Sequence, residues 1–334
     1  MQFDKPIVSP TDIATIMSSY PCGQVLACQE LGGLPNTTYK VVTEQKATAV
    51  RIYGRGQSSL EHIDLELRVL QHLARMDFES PRLLAGTNGQ FIQQWQGYRV
   101  CVTEFIHGVT ADNIALTPEL VCDVGRLVAS FQKAMALFKT DVIPEGGTVI
   151  TRGLGGLASL DAVLSQRGWE LDIGDVILQW QRASEPLVSH DAELDSNVIH
   201  ADIWPPNVIC EGETVVGLVD FDDCLYGATF IDVAITLLEF SMFQDFVVDE
   251  ELAVAFFSGY FRHGGTLSAL EEELIVNAIE MLYVIWLTYY AAQSPFFEEA
   301  EKYLHQLNLL SDAAFRGRLY AAVERCIDKA RRMI

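Results

Sequence analysis

The chain has 334 residues, 49% of them hydrophobic, with 45 acidic side chains against 23 basic ones and a formal net charge of −22. That is enough chain for two domains or two lobes with sizeable cores. Its acidity argues against nonspecific binding to nucleic acid or anionic membrane, because the long-range field repels polyanions. An anionic ligand must therefore be captured by local groups.

Cys22, Cys28, Cys101, Cys122, Cys210, Cys224 and Cys326 are scattered, with no CxxC pair and no histidine at metal-ligand spacing. They read as reduced thiols of a cytoplasmic protein. MQFDKPIVSP at the start has neither the basic nor the apolar region of a secretory signal. SPTDIATIMSSY then opens with helix-capping residues and predicts a short helix ending near Tyr20. QVLACQEL, TTYKVVTE and ATAVRIYG are β-rich runs separated by LGGLPN and by a turn at Gln45 and Lys46, the pattern of an antiparallel meander. In SSLEHIDLELRVLQHLARM, Leu60, Ile63, Leu67, Leu70 and Leu73 recur at three- and four-residue steps, which predicts an amphipathic helix lying on that sheet.

QFIQQWQ and YRVCVTEFI add two strands, and strand character stops at HGVTADN, His107 to Asn113. Helical periodicity dominates from there to the C-terminus, interrupted by HADIWPPN (His200 to Asn207) and by two short runs flanking Gly212. The expected architecture is therefore a small, mostly β lobe joined near Thr103 to Ile106 to a large, mostly α lobe. Residues 143–160, IPEGGTVITRGLGGLASL, are glycine-rich and read as a surface loop or insertion. The acidic stretch SHDAELDS, residues 189–196, reads as a solvated loop, or as a lure for an amine-bearing substrate. LIVNAIEMLYVIWLTYYAA, residues 274–292, carries Asn277 and Glu280 and reads as a buried core helix rather than a membrane span.

The chemistry concentrates in HADIWPPN and in VVGLVDF, residues 215–221. Pro205 and Pro206 forbid a regular helix and stiffen a loop able to aim Asp202 and Asn207 into one cleft. Asp220 ends an apolar run, where an unpaired carboxylate is costly to bury. A magnesium ion would compensate it, with Asn207 giving a carbonyl oxygen and Asp220 a carboxylate. Asp202 then remains to orient an attacking hydroxyl and accept its proton during phosphoryl transfer. The bland alternative is a polar turn with helix-capping acids.

HxDxxxxN followed by an apolar run ending in Asp resembles the catalytic and metal loops of the protein-kinase-like fold in its small-molecule branch, the aminoglycoside phosphotransferase and choline kinase superfamily. VIHADIWPPNVI, GLVDFDDCLYGATFIDVAITL and LGGLPNTTYKVVT are similar to segments of the bacterial homoserine kinases of that superfamily, and the match runs from about Tyr20 to Leu287. The resemblance implies an α+β bilobal fold, with residues 1–105 as a nucleotide-binding lobe and 106–334 as a helical catalytic and substrate-binding lobe. It implies ATP and Mg²⁺ as cofactors, Asp202 as the catalytic base, Asn207 and Asp220 as metal ligands, and Asp222 as a ligand to a second metal. His200 and Asp232 would support the loop structurally. Gly32 and Gly33 would approach phosphates through the backbone, with Asn36, Thr37 and Thr38 as side-chain donors. Arg51 would replace the usual lysine and pair with Glu66, and the backbone of Glu104 and Ile106 would bond the adenine edge.

Each small-lobe residue has a plainer reading: a solvated helix carboxylate for Glu66, a surface strand residue for Arg51, and a hairpin turn for GGLPN. Trp204, Trp286, Tyr289 and Tyr290 read as core or cleft lining, the last three on a helix able to wall an acceptor pocket. Asp222 and Asp223 stand where homoserine kinases usually carry aromatic residues. The expected activity is transfer of phosphate to a hydroxyl of a small, amine-bearing metabolite such as homoserine. The rivals are an aminoglycoside or sugar kinase, a stress-response-type protein Ser/Thr kinase, and an inactive nucleotide-binding regulator.

Overall fold

The computed structural model describes residues 7–33, 36–54, 59–140, 143–144, 147–167, 173–292 and 297–334. The chain divides into two compact units, Met1–His107 and Gly108–Ile334.

The first unit is a five-stranded antiparallel sheet with a helix on each face. Helix α1 (Pro10–Met17) starts at a capping box, in which Ser9 and Asp12 satisfy each other's backbone amides, and has Pro10 in its first turn. It stops three residues before Tyr20. Strands β1 (Val25–Gly32), β2 (Thr37–Thr43) and β3 (Ala47–Tyr53) form the expected meander. Helix α2 (Leu60–Arg75) follows, capped by Ser59, and then β4 (Ile92–Trp95) and β5 (Tyr98–Glu104). The spatial order is β1-β2-β3-β5-β4.

Alternation along the strands sorts side chains between the two faces. Val50, Ile52, Val100 and Val102 pack with Ile13, Ile16 and Met17 of α1. Tyr53 and Cys101 pack with Ile63 of α2. The β3–β5 register sets Arg51 opposite Cys101, which turns Arg51 to the α2 face. Of the apolar stripe expected on α2, Ile63, Leu70 and Leu73 are buried, whereas Leu60 in the first turn is exposed.

The second unit begins with β6 (Val109–Thr110) and α3 (Pro118–Met135), the helix capped by Thr117. The glycine-rich segment is not a loop: from Val149 it is helix α4 (Val149–Arg167). Glu145 and Gly146 of that segment lie outside the described residues. Two local facts explain the correction. Thr148 and Thr151 exchange backbone-to-hydroxyl hydrogen bonds in both directions, at 3.1 and 3.2 Å, a reciprocal cap that starts the helix. The glycines serve close approach rather than turning, because a Cβ at Gly153 would collide with the Trp180 ring and one at Gly156 with the Thr288 side chain. A glycine weakens a helix interior by about 1 kcal/mol relative to alanine. Here that cost lets α4 lie close against its neighbours.

Helix α5 (Ile173–Ser189) leads through an exposed 3-10 turn, Asp191–Glu193, into β7 (Ser196–Ile199). The HADIWPPN loop follows, its prolines opening another 3-10 turn, Pro205–Asn207. Next come the hairpin of β8 (Val208–Glu211) and β9 (Thr214–Leu218), and then β10 (Leu225–Ala228). β10 pairs antiparallel with β7, and β6 lies on the edge of the β8–β9 hairpin. The remainder is helical apart from a two-residue strand pair at 242–243 and 247–248: α6 (Phe230–Ser241), α7 (Glu250–Arg262), α8 (Ala269–Ala292), α9 (Phe297–Ser311) and α10 (Ala313–Arg331). α8 is long and apolar enough to cross a membrane, yet 67% of its most apolar window is buried against helices that include α4, α5, α6 and α9.

Candidate active site

The loop from His200 to Asn207 is held from beneath by Asp232, in the first turn of α6. Its two carboxylate oxygens accept the backbone amides of His200 (2.9 Å) and Ala201 (2.8 Å). Ala201 sits at φ +64°, a conformation a non-glycine residue keeps only when its surroundings enforce it. Asp232 is fully buried, and that burial raises its carboxyl to about 7 although both amide bonds favour the ionised form.

His200 is buried between Phe131 and Phe221, both edge-on to its ring. Its Nδ1 accepts the amide of Asp202 (3.3 Å), which leaves the proton on Nε2 to be donated to the carbonyl of Val219 (3.1 Å). Burial lowers its pKa to about 4, so the ring is neutral at pH 7. It ties the loop to the segment that carries Asp220.

Twelve residues separate Asn207 from Asp220, and the β8–β9 hairpin occupies most of them. The hairpin returns the chain so that the Val219 amide donates to the Asn207 carbonyl at 2.9 Å. Asp220 is therefore next to a residue bonded to Asn207, with its backbone at φ +68°. Asn207 is buried, and its Nδ2 donates to Asp202 twice, to the carboxylate Oδ2 (2.7 Å) and to the backbone carbonyl (3.0 Å). The backbone carbonyl can only accept, which fixes the orientation of the amide. Its oxygen is then the atom presented for a cation.

Asp202 carries unbalanced charge. Burial above all, and then the charges of Asp223, Asp220 and Asp222, push its carboxyl well above the ordinary range, against the lowering effect of the Asn207 bond. Among the described residues, no three His, Cys, Asp or Glu side chains converge to hold a metal by themselves. A magnesium ion fits this donor set nonetheless. It takes one or two carboxylates with a neutral oxygen and completes its shell from water and phosphate, and the excess negative charge favours a cation.

In the first unit, Gly32 and Gly33 both have positive φ, +97° and +106°, and a Cβ on Gly33 would strike the carbonyl of Asn36. Leu34 and Pro35 between them lie outside the described residues. Asn36 is buried, and its Oδ1 accepts the Gly54 amide at the end of β3 (3.0 Å), a bond that ties the β1–β2 loop to the sheet. Thr37 faces the buried side of β2, while Thr38 is half-buried on the other. Glu66 is buried on α2 and accepts the Tyr53 hydroxyl at 2.9 Å. Glu66 and Arg51 both act on the Tyr53 hydroxyl and the Cys101 thiol, which burial and Glu66 raise and Arg51 lowers. The amide of Glu104 is given to the Arg82 carbonyl (2.8 Å) and its side chain to Lys46 (2.6 Å), so only its own carbonyl can serve an adenine edge there. Glu104 and Ile106 both fall within the first unit, whose boundary at His107 lies two residues beyond the expected one.

Two contributors were not legible in the sequence. Arg152, near the start of α4, bonds Asp223 at 2.8 Å, next to the metal-loop acids. Tyr53, on the α2 side of the sheet, hydrogen-bonds Glu66. Arg152 was hidden by the reading of its segment as a loop; the paired Thr148 and Thr151 were the signal that could have exposed it.

The fold is α+β and protein-kinase-like. Residues 28–272 match the family described as "Phosphotransferase enzyme family", and the chain belongs to it. The homoserine kinase of Beijerinckia indica is 28% identical over 276 residues, which cover 79% of each chain. Among solved structures, an amicoumacin kinase in complex with AMP-PNP, Ca²⁺ and Ami superposes with a TM-score of 0.69 at 14% identity, over 94% of both chains. A microcompartment-associated aminopropanol kinase superposes with a TM-score of 0.63 at 18% identity, over 96% of this chain and 98% of its own. The chain is an enzyme of the small-molecule kinase kind, transferring phosphate to a hydroxyl group.

Proposed function

We propose that this enzyme is an ATP- and Mg²⁺-dependent kinase of a small, amine-bearing cytoplasmic metabolite, with homoserine as the first candidate. The observation that carries the reading is the bonded set Asp202–Asn207–Val219, in which the Asn207 amide holds the Asp202 carboxylate and the Asn207 backbone carbonyl holds the residue before Asp220. Homoserine kinases among the relatives and an aminopropanol kinase among the structural neighbours support an amino alcohol as acceptor.

In this reading Asn207 and Asp220 hold the magnesium ion, with Asp222 as a candidate second-site ligand, and the ion supplies charge neutralisation for the phosphates. Asp202 orients the acceptor hydroxyl and takes its proton as the new O–P bond forms and the bond from the γ-phosphorus to the β,γ-bridging oxygen breaks, releasing ADP. The Asn207 amide holds one Asp202 oxygen, so the carboxylate cannot rotate away from the hydroxyl. Asp232 and His200 act as positioning residues. In the first unit, Arg51 forks onto phosphate oxygens with Glu66 behind it, and the Gly32–Gly33 backbone and Thr38 approach the phosphates. The carbonyl of Glu104 and the amide of Ile106 take the adenine edge.

The test is a coupled ADP-release assay and a ³¹P NMR screen of homoserine, amino alcohols, sugars and aminoglycosides. Phosphorylated homoserine should form with wild type, and turnover should fall by about 10²–10⁴-fold in Asp202→Ala. Binding of Mg-ATP without transfer to any of these acceptors would overturn the proposal.

A further inference from the structure

The acceptor must present its hydroxyl to Asp202, so the groups around Asp202 on the second unit decide which molecule fits. Asp223 lies in the 3-10 turn Phe221–Asp223 directly after Asp220, two residues before Leu225, which the β7–β10 register sets opposite Ile199, three residues before Asp202. Its partner is Arg152, whose Nη1 bonds Asp223 Oδ1.

Arg152 is rigidly mounted. The strand β10 that follows Asp223 also fastens the start of its helix: the Tyr226 amide donates to the Gly147 carbonyl at 2.7 Å, and Thr148 forms a parallel bridge with Tyr226. The threonine cap and the close seat of Gly153 on Trp180 and Gly156 on Thr288 then set the first turns of α4. The pair is neither buried nor free in solvent, with side-chain exposures of 28% for Arg152 and 51% for Asp223. A guanidinium has five N–H donors in a planar fork. Among the described residues, Asp223 is the one polar partner of the Arg152 guanidinium.

A positive fork and a carboxylate, side by side and half open beside the base, match a ligand carrying both opposite charges on one carbon. From these contacts we infer that Arg152 and Asp223 read the carboxylate and the ammonium of an α-amino acid whose side-chain hydroxyl reaches Asp202. The acceptor is then a hydroxy amino acid and not merely an amino alcohol. On binding, the ligand carboxylate takes the open donors of Arg152 while its ammonium takes Asp223, so the ion pair becomes a ring of four alternating charges. This inference rests on the kinase reading above and adds the class of acceptor to it.

Three acceptors separate the charges: homoserine has both, 3-amino-1-propanol lacks the carboxylate, and 4-hydroxybutyrate lacks the ammonium. Wild type should prefer homoserine in kcat/KM by at least about tenfold over either, the worth of one charged hydrogen bond. Arg152→Ala should raise KM for homoserine by at least about tenfold while 3-amino-1-propanol changes by less than about threefold, and Arg152→Lys should fall between. Asp223→Asn should penalise homoserine and 3-amino-1-propanol but spare 4-hydroxybutyrate. A loss shared equally by all three acceptors, or one confined to kcat, would reduce Arg152 to a structural role and overturn the inference. Calorimetric binding of homoserine, measured without turnover, keeps the two claims separate. Binding to wild type that is lost in Arg152→Ala supports the subsite even if no phosphate is transferred, which would sink the kinase reading alone. No binding to wild type overturns the subsite.

Discussion

The two units treat buried charge in opposite ways. In the first, the buried Glu66 has a hydroxyl donor in Tyr53, and both it and the cationic Arg51 act on the same neighbours, so charges of both signs are gathered on one face of the sheet. In the second, Asp202 feels three further carboxylates, Asp223, Asp220 and Asp222, and Asp223 is bonded to Arg152. Ala201 and Asp220 both sit at positive φ in the loops beside these carboxylates. The first arrangement stabilises the fold as it stands. The second gathers like charges around a loop that Asp232 braces from below.

Removing a charge should therefore have opposite effects in the two places. The largest stability effect belongs to the brace. Asp232→Ala leaves two buried amides without acceptors, which costs about 1–3 kcal/mol each, so urea denaturation should register a loss of roughly 2–5 kcal/mol. A loss under about 1 kcal/mol would mean that the loop holds itself, and the contrast between the units would fail. Glu66→Gln comes next: it removes a negative charge from the face that Arg51 shares and should destabilise by about 1–3 kcal/mol. Asp202→Asn, by contrast, relieves like-charge repulsion and keeps an oxygen for Asn207, so its melting temperature without metal should equal or exceed that of wild type. A clear drop would show that Asp202 is stabilised where it stands.

Where strand alternation, helical spacing and a spaced motif agreed, the sequence was legible. The meander, α2 and the core helix α8 were all readable in this way. Glycine was the point of failure, because the same residue permits a turn and permits a helix to lie against a ring. Only the packing of Gly153 on Trp180 and Gly156 on Thr288 distinguishes the two. The strands β7 and β10 were missed because four residues show too little alternation to signal a strand; each is defined by the other through pairing. Arg152 could not be connected to Asp223, 71 positions away, without the fold. Asn36 looked like a phosphate donor in a loop motif and proves also to be a tie, accepting the Gly54 amide.

The smallest net effect, the pH dependence of wild type where two groups oppose each other, tests the brace. The folded Asp232 carboxyl is raised to about 7 from its ordinary value of 3.8, so below pH 3.8 both states are protonated and its contribution is fully present. Between there and about 7 the folded state holds a proton that the unfolded chain has released, and stability from this group falls as pH rises, by about 1.4 kcal/mol per pH unit. His200 acts in the other direction. Its folded pKa is lowered to about 4 from 6.5, so the unfolded chain holds the extra proton between those values and stability from the ring is lost as pH falls through them. The two slopes oppose each other from about pH 4 to 6.5, leaving little net pH dependence from this pair. Asp232→Asn removes one of them. The stability difference between wild type and Asp232→Asn should therefore shrink steadily from pH 4 to 7, while the variant alone gains stability over the lower part of that range. A difference that stays constant would mean that Asp232 is ionised throughout, held by its two amide bonds more strongly than burial opposes them.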